Sequence, residues 1–159
     1  MKDPQVNLHI KNANTIGCFY IESPAMRHLL MKLKCDDYLT LVAASSIIRP
    51  GVSESGMMRE YIKRYHNRKE IKYLHETFKE HLSETFGVMV FQEDVIKIAH
   101  YFAGLSLGDA DVLRRAMNSA KYTENSSFEI IQSKYFKSCE AKGHSVELAE
   151  EVWRQMKSF

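Results

Sequence analysis

Helix start and stop signals recur along the chain, and they constrain its fold more than any other feature of the sequence. Ser23-Pro24 has the form of a helix start, because serine caps a first turn and proline suits the first helical position. Ser106 and Ser145 are the predicted caps of two later helices. Arg49-Pro50-Gly51, Gly104 and Gly143 each follow an apolar run of helical period and end it. These signals divide the chain into about seven or eight short helices with little strand. The sequence therefore predicts a mainly α protein.

Two stretches near the start do not show a helical pattern. Residues 1–14 are polar and without a period, which is typical of a linker or a truncated element. Residues 15–21, TIGCFYI, are short, β-branched and aromatic, and this composition predicts a strand.

Length, cysteine usage and hydropathy limit the class of protein. The chain has 159 residues, enough for one domain with a sizeable core. Its three cysteines are odd in number and far apart, without a C-x-x-C pair, so neither a disulfide framework nor a zinc site is indicated. A reducing setting fits this usage. The sequence has neither a signal-peptide run nor a membrane-length apolar stretch, so we expect a cytoplasmic protein without membrane contact.

Two adjacent arginines, Arg114 and Arg115, stand in a predicted helix that begins near Ser106. They lie off its predicted apolar stripe, which consists of Val112, Leu113, Ala116 and Met117. Arg115 follows Asp111 by one turn, which favours an ion pair, whereas Arg114 shares a polar face with Lys121. One interpretation is a solvated face with one ion pair. The other is an anion site in which Arg114 and Lys121 bind phosphate.

A basic stretch at residues 59–72 carries six cations against Glu60 and Glu70, although the net charge of +2 by itself indicates no partner. The cations are Arg59, Lys63, Arg64, Arg68, Lys69 and Lys72. The stretch could be a solvated helix end that runs into a basic loop. Tyr61 and Tyr65 lie among the charges, which slightly strengthens the alternative that the stretch binds DNA.

Spacing alone does not reveal a catalytic or metal site. The seven histidines are scattered, and none has the spacing of H-E-x-x-H. Asp109-Ala110-Asp111 imitates a D-x-D metal motif, but residues two apart on a helix point about 200° apart. The phosphate-binding glycine motifs and the G-x-S-x-G nucleophile motif are missing from the sequence.

Four stretches, taken in order, carry a resemblance to a known family. They are CFYIESPAM (18–26), LVAASSIIRPGVSESGMMREYIKRYH (41–66), TFGVMVFQEDVIKIA (85–99) and LGDADVLRRAM (107–117). Together they resemble the fingers region of the catalytic alpha subunit of bacterial DNA polymerase III, a C-family polymerase. The resemblance covers about residues 15–159.

The resemblance implies a compact multi-helix fingers subdomain over residues 15–159, truncated at its C-terminus. Residues 1–14 would be a linker or a remnant of the preceding palm. The parent would be a DNA-directed DNA polymerase that binds primer-template and deoxynucleoside triphosphate. Its Mg²⁺ ligands would lie upstream of GCFYIES and outside this chain, so this chain alone would hold neither catalytic nor metal-binding residues and would be inactive. Other replicase subunits would bind outside it.

The resemblance also assigns residues. It implies that Arg114 and Arg115, and more loosely Lys121, face the triphosphate of the incoming nucleotide. It implies that Arg49, Gly51, Ser55 and Gly56 face the active site, while Gln92 and Glu93 are family positions without an assigned role. Two other functions fit the residues alone: a stand-alone helical DNA-binding module that uses residues 59–72, and a helical interaction domain without a nucleic-acid role. DNA binding through phosphates would weaken steeply with salt.

Overall fold

The computed structural model describes residues 3–49, 51–52, 55–117 and 126–159. Within these ranges the regular structure is helical and there is no strand, which confirms the mainly α prediction. The chain divides into two compact units, Met1–Ile71 and Lys72–Phe159. Over the described ranges, no helix is both long and apolar enough to cross a membrane.

Over its described residues, the helices of the first unit include four α-helices and a 3₁₀ turn. They are α1 (Pro4–Lys11), α2 (Pro24–Leu33), α3 (Tyr38–Ile47), α4 (Met57–His66) and the turn Arg68–Glu70. As predicted, Ser23 caps α2, since its side chain accepts a hydrogen bond from the Met26 amide. The buried core includes Met26, Leu29, Leu30, Leu33, Ala43, Ala44, Ile47 and Tyr61.

The predicted strand at residues 15–21 is wrong, because the segment folds into consecutive turns. Gly17 has φ +83° and Tyr20 has φ +69°, and both values lie outside the extended region that a strand needs. The Thr15 hydroxyl donates to the Ile21 carbonyl at 2.6 Å and closes the loop. Phe19 is 95% exposed, so the aromatic residue that suggested a half-buried strand lies in solvent.

Residues 4–11 form helix α1, although the sequence shows no apolar period there. The Asp3 side chain accepts a hydrogen bond from the Gln5 amide at 2.8 Å, and Pro4 takes the first helical position. Of its side chains, Ile10 is buried. The helix therefore depends on its cap more than on an apolar face.

Over its described residues, the second unit has five α-helices, one of which continues as a π-helix. They are α5 (Glu76–His81), α6 (Gln92–Lys97) with the π-helix Ile98–Phe102, α7 (Leu107–Met117), α8 (Ser126–Ala141) and α9 (Val146–Lys157); a 3₁₀ turn spans Ser83–Thr85. Ser145 caps α9 as predicted. The core includes Phe78, Leu82, Ile98, Phe102, Leu105, Leu113, Tyr135, Val152, Trp153 and Met156.

The end of the π-helix is fixed by side chains from α8 and the loop after it. Ser138 Oγ donates to the Ala103 carbonyl at 2.5 Å, and Lys142 Nζ donates to the Tyr101 carbonyl at 2.7 Å. His144 Nε2 lies 3.0 Å from the Phe102 carbonyl. These contacts satisfy carbonyls at a helix end and fix the segment from which α7 begins.

Helix α7 buries a narrower face than its sequence predicts. Ala110, Leu113 and Ala116 are buried, whereas Val112 is 40% exposed and does not belong to the apolar stripe. Val112 lies about 100° around the helix from Leu113, and the small side chains of Ala110 and Ala116 flank Leu113 on the buried face instead. The polar side chains of this helix carry the candidate site.

Candidate anion-binding site

The two neighbouring arginines of α7 bind the same carboxylate. Arg114 Nε and Nη2 donate to Asp111 Oδ1 at 3.0 and 2.8 Å. Arg115 Nη2 lies 2.6 Å from Asp111 Oδ2. Asp111 stands three and four residues before the arginines, so both guanidinium groups reach it within about one turn. The predicted Asp111–Arg115 pair is confirmed, and Arg114 binds the same carboxylate to make a cluster of three residues.

Arg114 is held from a second side by Gln92, the first residue of α6. Its Nη1 donates to Gln92 Oε1 at 3.2 Å. The Arg114 side chain is 24% exposed, whereas the Arg115 side chain is 62% exposed. Arg115 is therefore mostly exposed, whereas Arg114 is mostly covered.

The charged side chains that the structure places in this cluster are one carboxylate and two guanidinium groups. The hydrogen bond from Arg114 lowers the pKa of the Asp111 carboxyl below its usual value, and the charge of Arg115 acts in the same direction. Asp111 is therefore ionised at neutral pH, and its negative charge lies against both guanidinium groups. Two guanidinium planes that converge on one carboxylate are suited to binding an anion.

Asp109, at the start of α7, belongs to a different set of contacts. The Ser106 hydroxyl accepts a hydrogen bond from the Asp109 amide at 3.1 Å, which is the predicted cap. Asp109 Oδ2 accepts from Lys134 Nζ at 2.5 Å, and this bond lowers the pKa of Asp109. Asp109 and Asp111 thus serve different cations. Over the described part of the chain, no three His, Cys, Asp or Glu side chains gather as metal ligands would.

The other residues assigned from the resemblance lie elsewhere or outside the described ranges. Lys121 lies outside them. Arg49, Gly51, Ser55 and Gly56 belong to the first unit, whereas Arg114 and Arg115 belong to the second.

Around the predicted active-site-facing loop, two residues shape the backbone. Gly56 has φ +83° and directly precedes α4, a conformation that glycine adopts readily. Ser55 Oγ donates to the Val52 carbonyl at 2.9 Å. Arg49 lines a pocket together with Ala25, His28, Leu29, Lys32, Ile48 and Met58.

The basic stretch is not a single helical surface. Helix α4 ends at His66, and Lys72 begins the second unit. Arg64 Nε donates to Glu60 Oε1 at 2.8 Å. The Arg68 guanidinium lies 5.2 Å from the Tyr65 ring centroid, in a cation–π contact. Three further cations are exposed to solvent, namely Arg59, Lys63 and Lys69.

Sequence reasoning missed two partners of Arg114. Asp111 could have been found, because its spacing of three residues from Arg114 is as favourable as its spacing of four from Arg115. Gln92 could not, because 22 residues separate it from Arg114 and no local period connects them.

Comparison with known proteins agrees with the motifs. A family model described as the bacterial DNA polymerase III alpha subunit finger domain matches residues 1–143. The DNA polymerase III subunit alpha of Campylobacter jejuni is 34% identical over 159 residues, all of this chain and 13% of that relative. The corresponding subunit of Aquifex aeolicus is 32% identical over 159 residues, again 13% of its length.

An error-prone DNA polymerase of Vibrio campbellii is 38% identical over 157 residues, which are 99% of this chain and 15% of that protein. The chain thus spans about one seventh of the length of these relatives. The match to the family model covers most of the chain, and the chain belongs to the finger domain family of bacterial DNA polymerase III alpha subunits.

Proposed function

We propose that this chain is the part of a DNA-directed DNA polymerase that binds the incoming deoxynucleoside triphosphate and helps to seat the template. The observation that carries the proposal is the Arg114–Asp111–Arg115 cluster, in which two guanidinium groups converge on one carboxylate. Within the finger domain family, such a cluster is suited to the phosphates of a nucleotide.

The contacts of the Asp111 carboxylate indicate which kind of ligand the two arginines could bind. Asp111 presents two oxygens to two guanidinium groups, so donors of both arginines converge on an oxyanion geometry. A triphosphate offers the same kind of acceptor with more charge. Arg115 is the better placed of the two arginines, because most of its side chain is exposed although its Nη2 contacts Asp111. We expect Arg115 to contact the phosphates and Arg114 to contribute mainly through its charge.

The proposal is tested by titrating the chain with inorganic tripolyphosphate and measuring the heat of binding. Arg115→Ala should weaken binding about tenfold or more, since one charge-assisted contact is lost. Arg154→Ala is the matched control. Arg154 is also an exposed helical arginine of the second unit and is paired with a carboxylate, Glu151, at 2.7 Å. Equal loss in both variants would show unspecific attraction and would contradict the proposal.

Contact with DNA is a second proposal, which depends on the exposed cations of the first unit. Arg59 and Lys63 extend from α4 into solvent, and Lys69 follows them in the 3₁₀ turn. Such side chains suit phosphate contacts that are blind to base sequence. A fluorescent duplex titrated at several salt concentrations tests this. Affinity that does not change with salt would contradict it.

The parent's Mg²⁺ would be held by aspartates that the resemblance puts outside this chain. No step of the reaction is assigned to this chain's own residues, and we expect the chain alone not to extend a primer. Incubation with primer-template, deoxynucleotides and magnesium checks this expectation, and measurable extension would contradict it. Cytoplasmic location and binding of other replicase subunits outside this chain are part of the same proposal.

A further inference from the structure

Gln92 occupies a turn that is fixed independently of the arginines. It is the first residue of α6, and two residues later Asp94 is 1% exposed. Asp94 Oδ2 accepts hydrogen bonds from the Val90 and Phe91 amides at 3.0 and 2.9 Å. Two bonds to one carboxylate hold the backbone on the N-terminal side of Gln92, so the origin of its side chain is well defined.

The Gln92 side chain completes the support of the Arg114 guanidinium. Asp111 Oδ1 accepts from Nε and Nη2, and Gln92 Oε1 accepts from Nη1. A planar group that is bound at all three of its nitrogens has its plane fixed. One of these supports comes from α7 itself and the other from α6.

The two supports differ in charge, and this difference is the basis of the inference. Asp111 is ionised and places a negative charge beside both arginines. Gln92 accepts a hydrogen bond as a carboxylate would, but it adds no negative charge. A glutamate at position 92 would place a second carboxylate against the Arg114 guanidinium and would weaken the attraction of the cluster for an anion.

We propose that Gln92 is a positioning residue for triphosphate binding, whose neutral amide oxygen fixes Arg114 without adding a negative charge beside it. This inference rests on the proposed function. If Gln92 had only a structural role, substitutions at this position would change the stability of the cluster and its affinity for an anion in the same direction. A positioning role predicts that the two properties change independently.

The test compares Gln92→Glu and Gln92→Ala in the same chain, with tripolyphosphate as the probe. Gln92→Glu keeps an acceptor for Arg114, so its melting temperature should equal or exceed that of the unsubstituted chain, while its affinity falls about tenfold. Gln92→Ala loses the hydrogen bond, so both melting temperature and affinity should fall, the affinity about threefold. Gln5→Glu is the control. It makes the same change in net charge at an exposed site of the first unit, and it should leave affinity unchanged.

A second measurement tests positioning without any ligand. The Arg114 Nε–H resonance in an NMR spectrum of the unliganded chain should shift in Gln92→Ala, since the guanidinium loses one of its supports. An unchanged resonance would overturn the positioning role.

The outcomes separate the inference from the function on which it rests. Affinity of Gln92→Glu equal to that of the unsubstituted chain would overturn the inference, provided that Arg115→Ala still weakens binding. Unsubstituted chain that binds tripolyphosphate no better than Arg115→Ala would refute the proposed function, and the inference with it.

Discussion

Cations are arranged in opposite ways in the two units of the chain. In the second unit, Arg114 and Arg115 meet on one carboxylate. In the first unit, the cations of residues 59–71 have separate surroundings. Arg64 is paired with Glu60, and Arg68 lies over Tyr65.

The number of cations in a stretch of sequence therefore does not predict where a single anion binds. The basic stretch has three times as many cations as the arginine pair, but its helix ends at His66 and the cations do not converge. A single acid placed three and four residues before two arginines achieves convergence instead. The first arrangement suits diffuse attraction to a phosphate backbone, and the second suits a defined anion.

The largest effect is expected when the arginine pair is broken in a full-length polymerase that carries this chain. Arg114→Ala or Arg115→Ala should lower the catalytic efficiency for the nucleotide about ten- to more than a hundredfold, with primer-template binding nearly intact. Steady-state nucleotide incorporation and DNA binding measure the two properties.

Arg59→Ala is the counterpart from the first unit and should leave nucleotide kinetics unchanged. If both arginine variants of α7 retain normal nucleotide kinetics but melt at lower temperature, the pair serves only to hold the helix, and the contrast between the units disappears.

A smaller effect is expected for DNA binding by the first unit. With about three phosphate contacts, affinity should fall about 40-fold between 50 and 200 mM salt, and removal of Arg59 and Lys63 should lower the slope of log affinity against log salt by about 2. Binding to duplexes at several salt concentrations measures the slope. Lys157→Ala, at the end of α9, is the control, and an equal change in that variant would show that the charge of the whole chain matters rather than this segment.

The parts of the fold that could be predicted from the sequence depend on interactions between residues close together in the chain. Ser23 and Ser145 cap their helices as predicted, because a capping side chain bonds an amide only a few residues away. Asp3-Pro4 repeats the Ser23-Pro24 pattern, so the start of α1 was also present in the sequence, although the polar composition of residues 1–14 obscured it.

Other features depend on backbone geometry or on distant residues. The strand predicted at residues 15–21 failed because Tyr20 adopts a positive φ, which residue preferences do not reveal. The bond from Arg114 to Gln92 needs α6 and α7 to pack side by side, and no local spacing encodes that packing. Part of the candidate site could therefore be predicted from the sequence. The Asp111–Arg115 pair follows from helical spacing, whereas the hydrogen bond from Arg114 to Gln92 does not.

Acid titration should distinguish the bridged carboxylate within the second unit. The pKa of Asp111 is lowered first by its hydrogen bond from Arg114 and then by the charge of Arg115. Because the folded pKa lies below the unfolded one, Asp111 contributes stability that is complete above the unfolded pKa and is lost as the pH falls through the folded pKa. Arg114→Ala should move the pKa of Asp111 upwards, as measured by carboxyl carbon NMR. An unmoved pKa would show that Arg115 alone accounts for the shift.

The smallest effect is expected in thermal stability, where the two units should still differ. Glu60→Gln removes one partner of a single surface pair whose acid is 42% exposed, so the free energy of unfolding should change by about 0.5 kcal/mol or less. Asp111→Asn weakens contacts to two arginines at once, one of them mostly covered, and should lower the melting temperature more. Differential scanning calorimetry in low and high salt measures both. Screening by salt should remove most of the Glu60 effect and less of the Asp111 effect, because Arg114 is shielded from solvent. Equal losses in both variants, with equal salt dependence, would mean that the Asp111 cluster is no more than two ordinary surface ion pairs that happen to share an acid.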